Sequence, residues 1–499
     1  YLLGNLHLST IKLLSDYVNV WYVAGLLLLL AVVVAGSFKW ERPWFRRWGI
    51  ARVALGVVAL FFLGSAVAGA SWVGSVYGAS NLRVKPFSPL LTQVHAGLIS
   101  SVLHTGVERR QALAAPVDEQ AVNALLALEP GPVPALAPPQ ASGQKPDIVV
   151  IQSESFFDPG ILKDIPNTDG TLPNLHRALA VGIGGTMDPP TFGGGTLRTE
   201  FEVLTGIPMA AYPQVEFPYL QIVQPTIPSF VHVLREHGYA TVAVHANSAT
   251  FWNRDVAFKE IGFQRFLSKH SFPADAHKDG WYISDQAMTD KIITTLEQAR
   301  SPTLVFAVSI EAHGPYLNDP VDDPARRDAI PAPPGVQGKA LLEYRNYLYH
   351  IENADRALGR LWDFLESRHR PYILVFYGDH LPALTHVYGQ AHFDNGQDGP
   401  NQFVPWFIVG SGVQPRTAHV DAWMMGSDIL RSAGIPLTPY YQLIAKTQVA
   451  LSSAPGAVLP EATLQGVYSL ARLYLRGQLG RYLAENLQAA GKQAAVTHE

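Results

Sequence analysis

The sequence predicts an α/β fold, a mostly parallel central sheet flanked by helices, set behind N-terminal transmembrane helices. Three observations carry this. Four short apolar runs, Asp147 to Ile151 (DIVVI), Ala240 to Val244 (ATVAV), Thr303 to Ile310 (TLVFAVSI) and Pro371 to Tyr377 (PYILVFY), are separated by stretches of helical periodicity, the pattern of buried parallel strands. Each run ends in metal-binding or phosphate-binding side chains: Gln152, Ser153 and Glu154; His245 and Asn247; Glu311 and His313; Gly378, Asp379 and His380. Ligands of open α/β sheets lie outside the carboxyl ends of the strands, so four strands delivering polar residues to one edge predict a single active site. The third observation is that the apolar excess of the chain sits at its N-terminus.

The 499 residues are 16% charged, with a mean hydropathy of +0.09. Val18 to Phe38 and Val53 to Val73 are each long and apolar enough to span a bilayer, and Trp21, Tyr22, Trp40, Trp44 and Trp72 sit where interfacial anchors belong. Between them Lys39, Arg42, Arg46, Arg47 and Arg52 oppose Glu41 alone, which places that loop in the cytoplasm and all that follows the second span outside the cytoplasmic (inner) membrane. Residues 1–80 are thus expected to be transmembrane, with further spans missing ahead of Tyr1. The absence of cysteine excludes a disulfide framework, a thiolate metal site and a cysteine nucleophile. A net charge of −4 with no basic patch outside the loop argues against nucleic acid as a partner.

Residues 81–145 are expected to hold a juxtamembrane helix, Ser88 to His104, and an extended Ala/Pro-rich linker, Gln111 to Gln144, that builds no core. The catalytic domain is expected over 146–455. Within it Ser229 to His237 and Ala340 to Arg368 have helical periodicity, and Gly426 to Ala433 begins like a helix. Pro405 to Val409 is a further strand candidate, and Tyr316 to Gly335 reads as a long loop over the site. Residues 456–499 follow as a helical segment, amphipathic from Pro460 to Leu487, to pack on the domain or lie on a membrane.

The chemistry concentrates in four places. Asp379 and His380 follow a buried strand directly, with Gly378 easing the turn, and Glu154 ends another strand; carboxylate with imidazole suits Mn²⁺ or Zn²⁺ better than Ca²⁺. In TFGGGTLRTEFE, three glycines before Thr196 permit close backbone approach, and the following helix aims its N-terminal N–H groups at an anion. The Thr196 hydroxyl is either a metal-activated nucleophile or an ordinary N-cap. In TFWNRD, Arg254 offers a planar fork for phosphate and Trp252 a face for a polyol. In EAHGPY, His313 offers a donor or a proton carrier.

Taken in order, ESFFDP at Glu154, GGGTLRTEF at Thr196, FWNRD at Trp252 to Asp255, EAHGPY at His313 and YGDH at Asp379 resemble the lipoteichoic acid synthase and phosphoglycerol transferase family of the alkaline phosphatase/sulfatase superfamily. The resemblance covers roughly Pro146 to Leu451. It implies a sulfatase-like catalytic domain in which Glu154, Thr196, Asp379 and His380 hold one divalent ion, typically Mn²⁺, with Mg²⁺ or Zn²⁺ as alternatives. It implies that Thr196 attacks phosphatidylglycerol, releases diacylglycerol and carries phosphoglycerol covalently to a glycerophosphate polymer or glycan acceptor. Trp252, Arg254 and His313 would hold the head group, with Gln152 where some relatives have a histidine lining that pocket. Leu197 and Arg198 depart from the family pattern after the threonine.

Other readings stay open at this point. A phosphoethanolamine transferase shares the threonine nucleophile and anchor, though it usually carries disulfides. A phosphodiesterase would use water as acceptor, and a non-catalytic membrane-tethered binding module would need no nucleophile. A formylglycine sulfatase would need Cys or Ser in a C/S-x-P-x-R setting, which this chain lacks.

Overall fold

The computed structural model describes residues 50–68, 96–127, 143–163, 170–225, 227–452 and 460–485, with a few isolated positions between them. The chain divides into two compact units: residues 1–83 with 92–107, and residues 84–91 with 108–499. In the first unit, the helix Ile50–Val67 overlaps the second apolar run and leaves apolar side chains exposed on several sides, among them Val53, Leu60 and Phe61. The first predicted span, Val18 to Phe38, lies outside the described residues apart from Leu28 and Val32. Among the described residues no helix is long and apolar enough to cross a membrane.

The second unit is built on one sheet of eight strands: β1 (Asp147–Ser153), β2 (Ile183–Asp188), β3 (Ala240–His245), β4 (Arg265–Leu267), β7 (Thr303–Val308), β8 (Tyr372–Gly378), β9 (Val404–Gly410) and β10 (Arg416–Asp421). A small antiparallel hairpin supplies β5 (Lys278–Asp279) and β6 (Tyr282–Ile283). The order across the sheet is β10-β2-β9-β8-β1-β7-β3-β4, and β9 alone runs against its neighbours. The four apolar runs are the four adjacent central strands β8, β1, β7 and β3, paired in parallel. Their continuous apolar character follows from burial on both faces. Ile148, Val149 and Val150 are fully buried, each worth about 2 kcal/mol of transfer free energy as an upper estimate.

Asp147 locks the start of β1: its carboxylate accepts from the Thr303 N–H at 3.0 Å and pairs with Arg368 at 2.9 Å. Helices cover the sheet close to the predicted bounds, at Phe230–Glu236 (capped by Ser229), Lys339–Ser367 and Met425–Ser432. Pro405 to Val409 lies within β9 as expected. Strands β2 and β10 and the helix Asp285–Glu297 are elements that periodicity missed. In β2, Gly184 and Gly185 have low strand propensity, yet a side chain at Gly184 would sit 2.6 Å from the Trp406 carbonyl.

One expectation for the flanks changes, and one open alternative is decided. Inside the predicted extended linker, Glu119–Leu126 is a helix capped by Asp118, with Val122 fully buried in the core. The helix Glu461–Leu475 packs against it, where a side chain at Gly466 would meet the Ala121 carbonyl at 2.6 Å. Ser469 Oγ accepts from the Asp118 N–H at 3.0 Å, and Arg472 donates to the carbonyls of Pro116 and Ala211. The amphipathic face of the C-terminal helix is thereby spent on the domain.

Candidate active site

Three buried ligands converge past the carboxyl ends of β1 and β8. Glu154, Asp379 and His380 bring a carboxylate oxygen or ring nitrogen each to within 4.8 Å of one another. The sequence does this with two turns. After β1, Ser155 adopts a left-handed backbone (φ +54°), uncommon for a residue with a side chain. There its N–H donates to Asp379 Oδ1 at 2.7 Å and its hydroxyl to Glu154 Oε1 at 2.9 Å. After β8, the Asp379 N–H donates to the Ser153 carbonyl and the His380 N–H to Asp379 Oδ1. Ser309 at the end of β7 accepts from the Glu154 N–H at 2.8 Å.

The donor set fits a divalent cation. Asp379 Oδ2 and His380 Nε2 are buried with no hydrogen-bond partner, an arrangement that costs free energy unless something else satisfies them. His380 Nδ1 is engaged by the Leu381 carbonyl at 3.0 Å, which leaves the Nε2 lone pair facing the cluster. Burial raises the Glu154 carboxyl, with Asp379 adding to it, and pushes Asp379 up to about 7. Burial also holds the His380 imidazole below its ordinary range. Two carboxyl groups and an imidazole buried together form a set that a bound cation would favour in its deprotonated form.

Thr196 stands at the mouth of this cluster. Gly193, Gly194 and Gly195 all have positive φ (68°, 142° and 82°), so no other residue type passes through this loop without strain. The Gly193 N–H donates to the Leu381 carbonyl at 2.8 Å, which ties the loop to the residue after His380. Gly195 is the N-cap, and Thr196 is the first residue of the buried helix Thr196–Thr205. The hydroxyl is therefore not consumed by capping, and Oγ1 donates to Glu154 Oε2 at 3.3 Å. Of the two sequence readings of Thr196, the N-cap fails.

The other predicted residues divide. Gln152 is fully buried behind the site: its amide donates to the Thr196 carbonyl at 3.4 Å and its oxygen accepts from Tyr377 at 2.6 Å. It supports the loop and offers solvent no atom. Arg254 is buried, and its fork is occupied by Glu200, with Nη2 to Oε2 at 2.9 Å and Nε to Oε1 at 3.1 Å. Nη1 remains, 3.2 Å from His245 Nε2. Burial and the Arg254 charge hold His245 well below its ordinary range, and its Nδ1 is engaged by the Val308 carbonyl. Trp252, half-buried at φ +57°, stacks on Phe251 and lies 5.1 Å from the Arg254 guanidinium. His313 is exposed, Nδ1 on the Gly314 carbonyl at 2.7 Å, close enough for its charge to act on Glu154.

Sequence reasoning missed Ser155, Ser309 and Glu200. Ser309 lies at the last-but-one position of a predicted strand and Ser155 directly follows Glu154, a signal that was present. Nothing in the spacing of Glu200 marks it as the partner of a residue 54 positions away.

The sulfatase family model matches residues 146–433, more than half of the chain. A putative cyclic beta-1,2-glucan modification protein of Rhizobium meliloti (strain 1021) is 31% identical over 310 residues, 60% of this chain and 47% of that protein. The chain thus spans about half the length of the curated relatives it matches first. Among solved structures, the fold is shared with a Streptococcus pyogenes phosphoglycerol transferase, GacH, in complex with sn-glycerol-1-phosphate. That likeness has a TM-score of 0.57 at 17% identity and covers 77% of this chain and 95% of that one. The lipoteichoic acid synthase LtaP of Listeria monocytogenes gives a TM-score of 0.56 at 17% identity, covering 73% and 98%. The resemblance drawn from the motifs to the lipoteichoic acid synthases and phosphoglycerol transferases holds, and the chain belongs to the sulfatase family.

Proposed function

We propose that this protein is a metal-dependent phosphoglycerol transferase that moves glycerophosphate from phosphatidylglycerol to a glycan through a covalent intermediate on Thr196. The observation that carries the reading is the uncapped Thr196 hydroxyl directed at Glu154 beside Asp379 Oδ2 and His380 Nε2, two buried atoms that make no hydrogen bond and lie 3.4 Å apart. Glu154, Asp379 and His380, with Thr196, would hold the cation. Once bound, that ion, Mn²⁺ by preference, supplies positive charge against the threonine oxygen and the phosphoryl oxygens.

Thr196 Oγ1 gives up the proton it now donates to Glu154 and bonds to phosphorus, as the bond from phosphorus to the diacylglycerol oxygen breaks. That oxygen takes up a proton and leaves as the diacylglycerol hydroxyl. An acceptor hydroxyl then attacks the same phosphorus and loses its proton as the bond from phosphorus to Thr196 Oγ1 breaks, and Oγ1 takes up a proton to return Thr196 to its free form. Trp252 and His313 flank the head group in this reading, and Arg254, held rigid by Glu200, contributes positive charge through Nη1. The rhizobial relative named for glucan modification supports a glycan acceptor over a glycerophosphate polymer. The exposed apolar helix Ile50–Val67 and the run Val18 to Phe38 support a catalytic domain tethered to the cytoplasmic membrane on its outer side, where a nearby lipid donor is at high effective concentration.

The test is the intact mass of the full chain after incubation with phosphatidylglycerol and Mn²⁺, beside Thr196→Ala. A phosphoglycerol adduct on the native chain alone supports the reading. Diacylglycerol release without adduct points to water as acceptor. An adduct formed only from phosphatidylethanolamine replaces the donor, and neither adduct nor release refutes the transferase.

A further inference from the structure

A single exposed aromatic is ordinary on a protein surface. Trp281 differs in how it is held. It is 52% exposed, at the turn of the β5–β6 hairpin, where Asp279 faces Tyr282. Gly280, the other turn residue, has φ +70°, and a side chain there would lie 2.3 Å from Asp319 Oδ1. Asp279 is anchored from beneath: Oδ2 accepts from Tyr349 at 2.8 Å and Asn353 at 3.0 Å, and Oδ1 from the Asp322 N–H at 2.9 Å. Asp319 in turn is bound by His350 at 3.0 Å, whose other nitrogen meets Glu311 at 2.9 Å. All these side chains are buried or nearly so, which makes the hairpin a rigid extension of the core.

The hairpin also touches the rim of the site. Tyr282 Oη lies 3.3 Å from His313 Nδ1, their rings are 5.4 Å apart, and Tyr282 is near enough to Glu154 to feel its charge. Trp281 directly precedes Tyr282 in the chain, and half of its surface lies in solvent. An indole on a fixed backbone loses only two torsions on binding, and it buries the apolar face of a ring without needing a charged partner.

We propose that Trp281 is the platform on which a glucose ring of the acceptor glycan stacks, positioning its hydroxyl toward Thr196. This rests on the transferase reading above, and it adds the residue that selects a glycan over water or a free polyol.

The experiment has two arms, both on the full chain. In the first, a short β-1,2-linked gluco-oligosaccharide is titrated calorimetrically into native protein, Trp281→Ala and Trp281→Phe. Affinity should fall about tenfold in Trp281→Ala and largely survive in Trp281→Phe, the scale of one aromatic stacking contact. Equal binding by native protein and Trp281→Ala overturns the proposal, as does no binding by native protein. In the second arm, Trp281→Ala should raise the KM for the oligosaccharide about tenfold while acceptor-free diacylglycerol release stays unchanged. Equal loss of both overturns the acceptor role. Native protein that binds the glycan through Trp281 but releases no diacylglycerol refutes the transferase reading and not the platform.

Discussion

Replacing Asp379 with Asn separates the energetic cost of the metal site from its use. Asp379 is fully buried; burial pushes its carboxyl up to about 7, and hydrogen bonds from the Ser155 and His380 N–H groups hold it down in part. The unfolded chain titrates at about 3.9, so the folded, cation-free protein binds the proton more tightly. Stability from this group is then fully present below about pH 4 and is lost as pH rises through 7. A gap of about three pH units is worth roughly 4 kcal/mol, at about 1.4 kcal/mol each. Asn keeps the oxygen that accepts from the Ser155 and His380 N–H groups and removes the charge from the unpartnered Oδ2 position. In chelator at about pH 8, Asp379→Asn should therefore unfold at higher urea than native protein, by up to that amount. The difference should shrink to roughly 1.5 kcal/mol near pH 5 and vanish below about pH 4. Added Mn²⁺ should stabilise native protein, less so below pH 7 where protons compete, and should leave Asp379→Asn unmoved. A variant less stable than native protein in chelator at pH 8 would refute the argument.

Three further outcomes follow from the same geometry. Thr196→Ala should abolish the phosphoglycerol adduct in intact-mass spectra yet shift unfolding by no more than about 1 kcal/mol, since the hydroxyl makes one long hydrogen bond; Thr196→Ser should keep the adduct. Arg254→Met leaves Glu200 charged and buried, and should cost roughly 3–5 kcal/mol in urea unfolding. His350 is buried, which lowers its affinity for a proton, but its bonds to Asp319 and Glu311 outweigh this and push it up to about 9. The stability it contributes is fully present below about pH 6.5 and fades as pH rises through 9, so His350→Gln should flatten the fall in urea midpoint between about pH 7 and pH 10.

The central strands and the clustering of Glu154, Asp379 and His380 were legible because both follow from local properties. An apolar run of Val, Ile and Phe can only be buried, and in a parallel sheet the residue after its last strand position must fall on the ligand edge. That placed Glu154, Asp379 and His380 together before any coordinate was known. The glycines before Thr196 similarly announced a backbone that only glycine follows. Strand β2 was not legible, because Gly184 makes room for β9 and Gly185 for β10, partners more than 200 residues away. The helix Glu119–Leu126 was hidden in an Ala/Pro-rich stretch because its stability comes from the C-terminal helix packed upon it.

What the sequence determined by itself was the chemistry available: a threonine in a glycine loop, two carboxylates and an imidazole at strand ends, and no thiol. What only the tertiary structure decided was how each polar group spends its hydrogen bonds. Gly195 takes the cap and frees Thr196, Glu200 claims the fork of Arg254, Gln152 turns inward beneath the loop, and Asp379 and His380 are each left with one unsatisfied atom. Such assignments depend on distances between residues far apart in the chain, set by packing and desolvation, which spacing along the chain does not encode.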